Sequence, residues 1–303
     1  MTKYYIYTPS YNPNVGGIVA LNNLCDLMRK QGHSAYLVPF KPTFSGRFAR
    51  VKQLRYVVKN ILWPSPFASA ADLDTPVRTG NIDDSVGESV VIYPEIVKGN
   101  PLKAKRVVRW LLHNPGFHTG EVDYAPGELY FRFATHFKEF NFDGSKTSKS
   151  ILRVVRFPTN LYNKNSCAAI RTGTAYCVRK GKNKTIEHDL NDSILIDGME
   201  HSDVSAIFKR VKRFISYDSY TGYSKLAVLC GCESIVVPDP EVSIEEWIPN
   251  VRDRYGIAYG FDNVDEANST AQMQIERVME LESESAKNVS DAIEEIESYF
   301  NLR

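Results

Sequence analysis

No apolar run in this chain of 303 residues approaches the roughly 20 residues that a membrane-spanning helix needs. An excess of one charge is also missing. Lys and Arg number 37 against 36 Asp and Glu, a net charge of +1, so neither nucleic acid nor an anionic membrane is indicated as a bulk partner. Cysteine is scarce and odd in number, 5, which gives no disulfide framework. Cys230 and Cys232 stand as C-x-C, but a metal site would need a second pair, so packing is the favoured reading and a reducing, cytoplasmic setting the expected one. The opening MTKYYIYTP lacks the apolar segment of a signal peptide. Repeats and low-complexity tracts are absent, as are H-E-x-x-H, the P-loop, G-x-S-x-G and G-x-G-x-x-G. Metalloprotease, P-loop NTPase, α/β-hydrolase and dinucleotide dehydrogenase readings therefore lack support.

What is present alternates between β-rich runs and helical spacing, enough for one large or two medium domains. Residues 3–8 (KYYIYT) read as a strand, and Ile18, Leu21, Leu24, Leu27 and Met28 recur at helical spacing before residues 35–39 form the next strand. Gly16 and Gly17 fall where the first strand hands over to the first helix, where backbone can approach a ligand closely. A helix turn with no ligand is the plainer alternative. Strands are expected at 89–94 and 106–112, followed by Glu95 and by His113 and Asn114, on the same edge as Gly16. Glu95 reads either as a site carboxylate or as an exposed turn residue. His113 reads as an acid, a base or a sugar hydrogen-bonder, or as the cap of the turn before Pro115.

Residues 41–87 are poorly patterned and read as surface loop around a basic helix at 47–59, whose Arg47, Arg50, Lys52, Arg55 and Lys59 suit a solvated face or, alternatively, contact with an anionic acceptor or the periphery of a membrane. Asp72-Leu73-Asp74 matches a D-x-D metal motif in its letters but lies in a Pro/Ala/Ser-rich loop. Strands are expected at 128–133 and 151–157, with a polar loop at 136–150 between them and linker composition at 158–166. After it the α/β pattern restarts, with strands at 174–178 and 193–196, a helix over 203–211, a last edge strand at 256–259, helices at 263–267 and 270–281, and an acidic amphipathic helix over 283–300.

The stretch at 214–239 runs strand, polar turn, helix, Gly turn, strand. Such a unit makes neighbouring parallel strands and places Asp218, Ser219, Tyr220, Thr221 and Gly222 on a ligand-binding rim. Tyr217-Asp218-Ser219-Tyr220-Thr221, then Ala227-Val228-Leu229-Cys230-Gly231-Cys232, then the Val-rich strand to Pro238, resembles the donor-binding segment of GT-B glycosyltransferases, especially bacterial polysaccharide enzymes of the family 4 type. The match departs where many members carry a ribose-binding Glu in the helix and this chain has Lys225 and Leu226.

The resemblance implies two Rossmann-like α/β domains facing each other across a cleft. Residues 1–160 would form the acceptor-side domain, 161–285 the nucleotide-sugar domain, and 286–303 a helix bracing the first. It implies metal-independent sugar transfer from a nucleotide-sugar donor to a glycan or polysaccharide acceptor, with no cofactor. Asp218, Ser219, Tyr220 and Thr221 would hold the diphosphate. The basic turn Arg179, Lys180, Gly181, Lys182 would neutralise it, in keeping with the affinity of such turns for phosphate. Gly16 and Gly17 would contact acceptor or donor phosphate, and Glu95 and His113 would border the acceptor and the reacting sugar. Met199, Glu200 and His201 would line the nucleobase pocket or merely begin a helix. The rivals are a sugar-nucleotide epimerase and a non-catalytic glycan- or nucleotide-binding protein on the same fold.

Overall fold

The computed structural model describes residues 2–41, 51, 54–55, 66–79, 89–135, 137, 140–142 and 144–302. The chain divides into two units, Met1–Val155 with Glu284–Arg303, and Arg156–Ser283. The first contains β1 (Lys3–Thr8), α1 (Gly16–Lys30), β2 (Ser34–Pro39), β3 (Ser89–Pro94), β4 (Val107–Leu111), β5 (Leu129–Arg132) and β6 (Lys146–Ile151). The second contains β7 (Thr174–Cys177), β8 (Ser193–Leu195), α2 (His201–Phe208), β9 (Arg213–Ser216), α3 (Tyr223–Leu229), β10 (Glu233–Val236), α4 (Ile244–Trp247), β11 (Ile257–Tyr259) and α5 (Val264–Thr270). Helix α6 (Met273–Tyr299) belongs in its first part to the second unit and in its last part to the first.

Both units are α/β and Rossmann-like. Strand order is β2-β1-β3-β4-β5-β6 in one sheet and β11-β10-β9-β7-β8 in the other, and every adjacent pair is parallel. Buried on both faces, strands of this kind carry apolar side chains in both directions. Along β1, Tyr4 and Ile6 enter the core under α1, with Leu21, Leu24, Cys25 and Met28, while Tyr5 and Tyr7 enter the opposite core with Val91 and Tyr93. In the second sheet Phe214 faces α2 and α3, and Ile215 and Tyr217 face α5. Gly32 closes α1 at φ 87°, a left-handed turn that costs glycine little.

Several expectations are corrected. The polar segment at 136–150 contains strand β6, and of the strand expected at 151–157 only Ile151 is strand, residues 152–157 being irregular. Strand β6 lies at the sheet edge, where Ser148 reaches Glu295 on α6 at 2.5 Å, so its sequence needs no apolar alternation. Residues beyond it are held from the side instead. Trp110 Nε1 donates to the Leu152 carbonyl (2.9 Å), Asn288 Nδ2 to the Arg153 carbonyl (3.0 Å), and the Val155 N–H to Ser285 Oγ (3.1 Å). The helices expected at 270–281 and 283–300 are one, because nothing between Leu281 and Glu284 interrupts helical backbone. The described loop 66–79 is stitched down. Asn22 Oδ1 accepts from the Ala70 N–H, Asp26 Oδ1 from the Asp74 N–H, and Leu37 bridges Val77. Arg29 takes the Asp74 carboxylate at 2.7 Å, which occupies one half of the D-x-D letters. Of the basic stretch 47–59, Arg47, Arg50, Lys52 and Lys59 lie outside the described residues.

One buried ion pair ties β4 to the loops around it. Arg109 and Glu128 are 0% and 2% exposed, with Nε to Oε2 at 2.8 Å. The same guanidinium donates to the carbonyls of Val97 and Gly99 and lies 4.1 Å from the Tyr124 ring centroid. Removing one partner strands a charge in the core. Arg109→Met is expected to cost about 3–5 kcal/mol in urea unfolding, with Arg109→Met combined with Glu128→Gln recovering part of the loss.

Candidate functional site

Parallel strands bring all their carboxyl ends to one edge of a sheet, where polar residues just past each strand can meet. In the second unit this edge gathers Arg179 and Lys184 after β7, Asp197 after β8, Asp218 and Ser219 after β9, and Asp239 after β10. Arg179 has a left-handed backbone, φ 43°, which is unfavourable for a side chain larger than glycine. Asp197 holds it there, Oδ2 accepting the Arg179 N–H at 2.8 Å and the Val178 N–H at 3.2 Å. The Arg179 guanidinium then sits 3.6 Å from Asp218 Oδ2 and 5.4 Å from the Tyr223 ring centroid.

Lys184 makes the second cationic contact. Its Nζ donates to Ser219 Oγ (2.7 Å) and the Val237 carbonyl (2.6 Å) and pairs with Asp239 Oδ1 (2.7 Å). Ser219 Oγ donates in turn to Asp239 Oδ2 at 2.6 Å. Asp218 Oδ1 accepts the Tyr220 N–H at 3.1 Å, and Thr221 Oγ1 the Tyr223 N–H at 3.3 Å. The turn is fixed from behind, Trp247 Nε1 donating to the Ser219 carbonyl (2.7 Å) and Ser216 Oγ to the Asp218 carbonyl (2.6 Å). Tyr220 projects outward at 48% exposure.

Among the residues singled out in the sequence, Arg179, Asp218, Ser219 and Thr221 come together here, with Lys180 and Lys182 exposed on the adjoining turn. His201 lies one element away, its Nδ1 2.7 Å from the Tyr162 hydroxyl and its ring 5.7 Å from that of Tyr223. Met199 packs against the core of this unit, and Glu200 is exposed before α2. Sequence reasoning passed over Lys184, Asp197, Tyr223 and Asp239. Asp197 and Asp239 follow from asking which polar residue comes soon after each strand of a parallel sheet, whereas Tyr223 lies inside α3 and Lys184 sits well past β7 in the same basic run as Lys180 and Lys182.

Gly16, Gly17, Glu95 and His113 lie in the first unit, at the carboxyl ends of β1, β3 and β4. A side chain on Gly17 would touch Leu112 at 3.4 Å, which places the start of α1 beside the end of β4. Glu95 is not an exposed turn carboxylate. It is 7% exposed, its Oε2 accepts the Leu112 N–H at 3.1 Å, and its carbonyl accepts from the Tyr124 hydroxyl at 2.7 Å. His113 Nδ1 accepts the Asn114 N–H at 2.8 Å, and its ring stacks 4.0 Å from Phe117. Further along the same edge, Thr135 and Ile151 line a groove with Arg153, Glu284 and Asp291.

The cysteines fit the packing role. Cys177, Cys230 and Cys232 are buried, and burial pushes their thiols up to about 12, 11 and 12, so they stay protonated. Among the described residues no group of three or more His, Cys, Asp or Glu is arranged to hold a metal ion.

No protein-family model matches the chain, and no curated protein does. Among solved structures, it is similar to MurG of Acinetobacter baumannii (10% identity, 97% of this chain and 100% of that one, TM-score 0.37). It is also similar to the glycotransferase of kitacinnamycin (9% identity, 98% and 99%, TM-score 0.44) and to T4 phage BGT in complex with its UDP-glucose substrate (10% identity, 98% and 99%, TM-score 0.46). Overlaps below a TM-score of 0.5 decide nothing about the chemistry of this chain.

Gly181 sets the fit of the basic turn. A Cβ there would lie 2.0 Å from the Tyr217 carbonyl oxygen, so a side chain must push the turn off the sheet. Gly222 has open space and φ −64°. In urea unfolding Gly181→Ala is expected to lose about 1–3 kcal/mol, as overpacked sites do, and Gly222→Ala to stay within about 0.5 kcal/mol of wild type.

Proposed function

We propose that the second unit binds the diphosphate of a nucleotide sugar and that the chain transfers the sugar to a glycan acceptor without a metal ion. The observation that carries this reading is the pair of cations at the carboxyl edge of the second sheet, Arg179 against Asp218 and Lys184 against Ser219 and Asp239. When the bond between the anomeric carbon and the diphosphate breaks, negative charge grows on the departing phosphate oxygens. Fixed cations placed for that charge lower the barrier, and here side chains supply what a divalent ion would otherwise supply. Exposed Lys180 and Lys182 add to the local field.

In this reading Asp218 and Asp239 hold the two cations in place until the ligand arrives, and the Ser219 hydroxyl and the turn through Thr221 offer hydrogen bonds to the phosphates. Met199, Glu200 and His201 border the nucleobase, beside the Tyr223 ring. The first unit carries the acceptor side, with Gly16, Gly17 and His113. Glu95 borders the acceptor there as well, and its carboxylate accepts the Leu112 N–H, which holds the end of β4. Among the described residues no helix is long and apolar enough to cross a membrane.

The test is a thermal-shift titration with UDP, GDP, CMP and dTDP and their sugars in EDTA. A ligand at 100 times its dissociation constant adds about 2.7 kcal/mol to the stability of the native state. Stabilisation by one nucleotide in EDTA, reduced at least tenfold in affinity by Arg179→Gln, is the expected result. No response to any of the four, or a response that appears only with Mn²⁺, overturns the reading.

A further inference from the structure

Residues 181–192 lie over the end of β9 and meet Tyr217 at both its carbonyl and its hydroxyl. Gly181 sits against the Tyr217 carbonyl, and six residues later the Glu187 N–H donates to the Tyr217 hydroxyl at 2.8 Å. The same oxygen lies 2.8 Å from His188 Nδ1. With the hydroxyl accepting from Glu187, donating its own proton to Nδ1 is the arrangement that gives that proton a partner, and the neutral His188 then carries its hydrogen on Nε2. Between the two attachments stands Lys184, whose backbone N–H turns back to the Gly181 carbonyl at 3.0 Å and whose Nζ reaches Ser219, Val237 and Asp239.

We propose that Tyr217 and His188 are positioning residues, a latch that holds the 181–192 strap closed so that Lys184 stays on the anion site, and that protonation of His188 opens it. A proton on Nδ1 would point a second N–H at the Tyr217 oxygen and leave the phenol's own hydrogen without an acceptor, in a side chain that is 0% exposed. The new charge gains nothing at the other nitrogen, because Nε2 is buried without a hydrogen-bond partner among the described residues. The groups facing the imidazole are few. On β7 the Tyr176 ring lies 4.6 Å away and at the end of β9 the Tyr217 ring 5.8 Å, while on the strap Glu187 and Asp189 flank it. Burial draws the imidazole's affinity for a proton below its ordinary value, and the Asp189 carboxylate opposes this without reversing it. The sign follows. The latch is fully closed above the ordinary imidazole value of about 6.5 and loses up to about tenfold in its closing equilibrium for each pH unit below that, until the depressed value is reached.

That the strap opens is independent of any nucleotide; that its opening weakens anion binding rests on the function proposed above. Amide hydrogen exchange of the 181–192 peptide, corrected for the intrinsic rate, measures the first. Binding of inorganic pyrophosphate measures the second, with each variant compared at equal pH because pyrophosphate itself titrates. Wild type is expected to lose protection severalfold between pH 7.5 and 5.0. His188→Gln keeps an acceptor for the hydroxyl without titrating and should be flat, and Tyr217→Phe should exchange fast at every pH. Pyrophosphate should bind the wild type more weakly than His188→Gln at pH 5.0 and equally at pH 7.5. Equal protection of the wild type at both pH values, or the same loss in His188→Gln, overturns the latch. The expected exchange pattern without pyrophosphate binding at any pH supports the latch and overturns the anion site.

Discussion

Polarity of the strands is the constraint on which the rest of this structure depends. Because all five strands of the second sheet run the same way, the chain must leave each of them at one edge and cannot bury the turns that follow. Arg179, Asp197, Asp218 and Asp239 come from four separate strand ends. They meet because of topology, and no local sequence pattern could have assembled them. The same rule in the first sheet puts the start of α1, Glu95 and His113 on a common edge.

At the edge of the second sheet each cation faces a carboxylate, and those carboxylates are held by backbone N–H groups or a hydroxyl. Asp218 is tied to the Tyr220 N–H and Asp239 to the Ser219 hydroxyl, while Asp197 fixes the backbone that aims Arg179. Such an arrangement keeps charged side chains in position while leaving them available for exchange. An arriving anion replaces one negative partner with another and need not order long side chains from solvent, which lowers the entropic cost of binding.

Much of the fold is legible in the sequence because buried parallel strands are apolar throughout. The runs at 3–8, 89–94 and 214–215 could hardly be anything else. Strand β6 is hidden for the opposite reason. An edge strand paired on one side and contacted by Glu295 can be written KTSKSI, and nothing in that string separates it from a loop. At the site, Asp218, Ser219 and Arg179 stand out because they follow strongly patterned strands. Lys184 does not, since a lysine five residues into a polar segment looks like any solvated charge. Its role depends on Gly181 approaching the Tyr217 carbonyl, a contact between two positions with no shared pattern. Glu95 was ambiguous for a related reason, because only the return of the chain at Leu112 decides whether a turn carboxylate is covered.

Helix α6 gives Val289, Ala292, Ile293 and Ile296 to the same core as Tyr4, Ile6 and Trp110, and its Glu297 accepts from the Tyr4 hydroxyl at 3.2 Å. Strand β1 is thus completed by a helix that lies more than 260 residues later in the sequence. During synthesis, residues 156–283 have every segment of their own core before the first unit has all of its own, so the unit made first is the one finished last. Until α6 has emerged from the ribosome, the face of β1 that carries Tyr4 and Ile6 waits with part of its apolar surface uncovered.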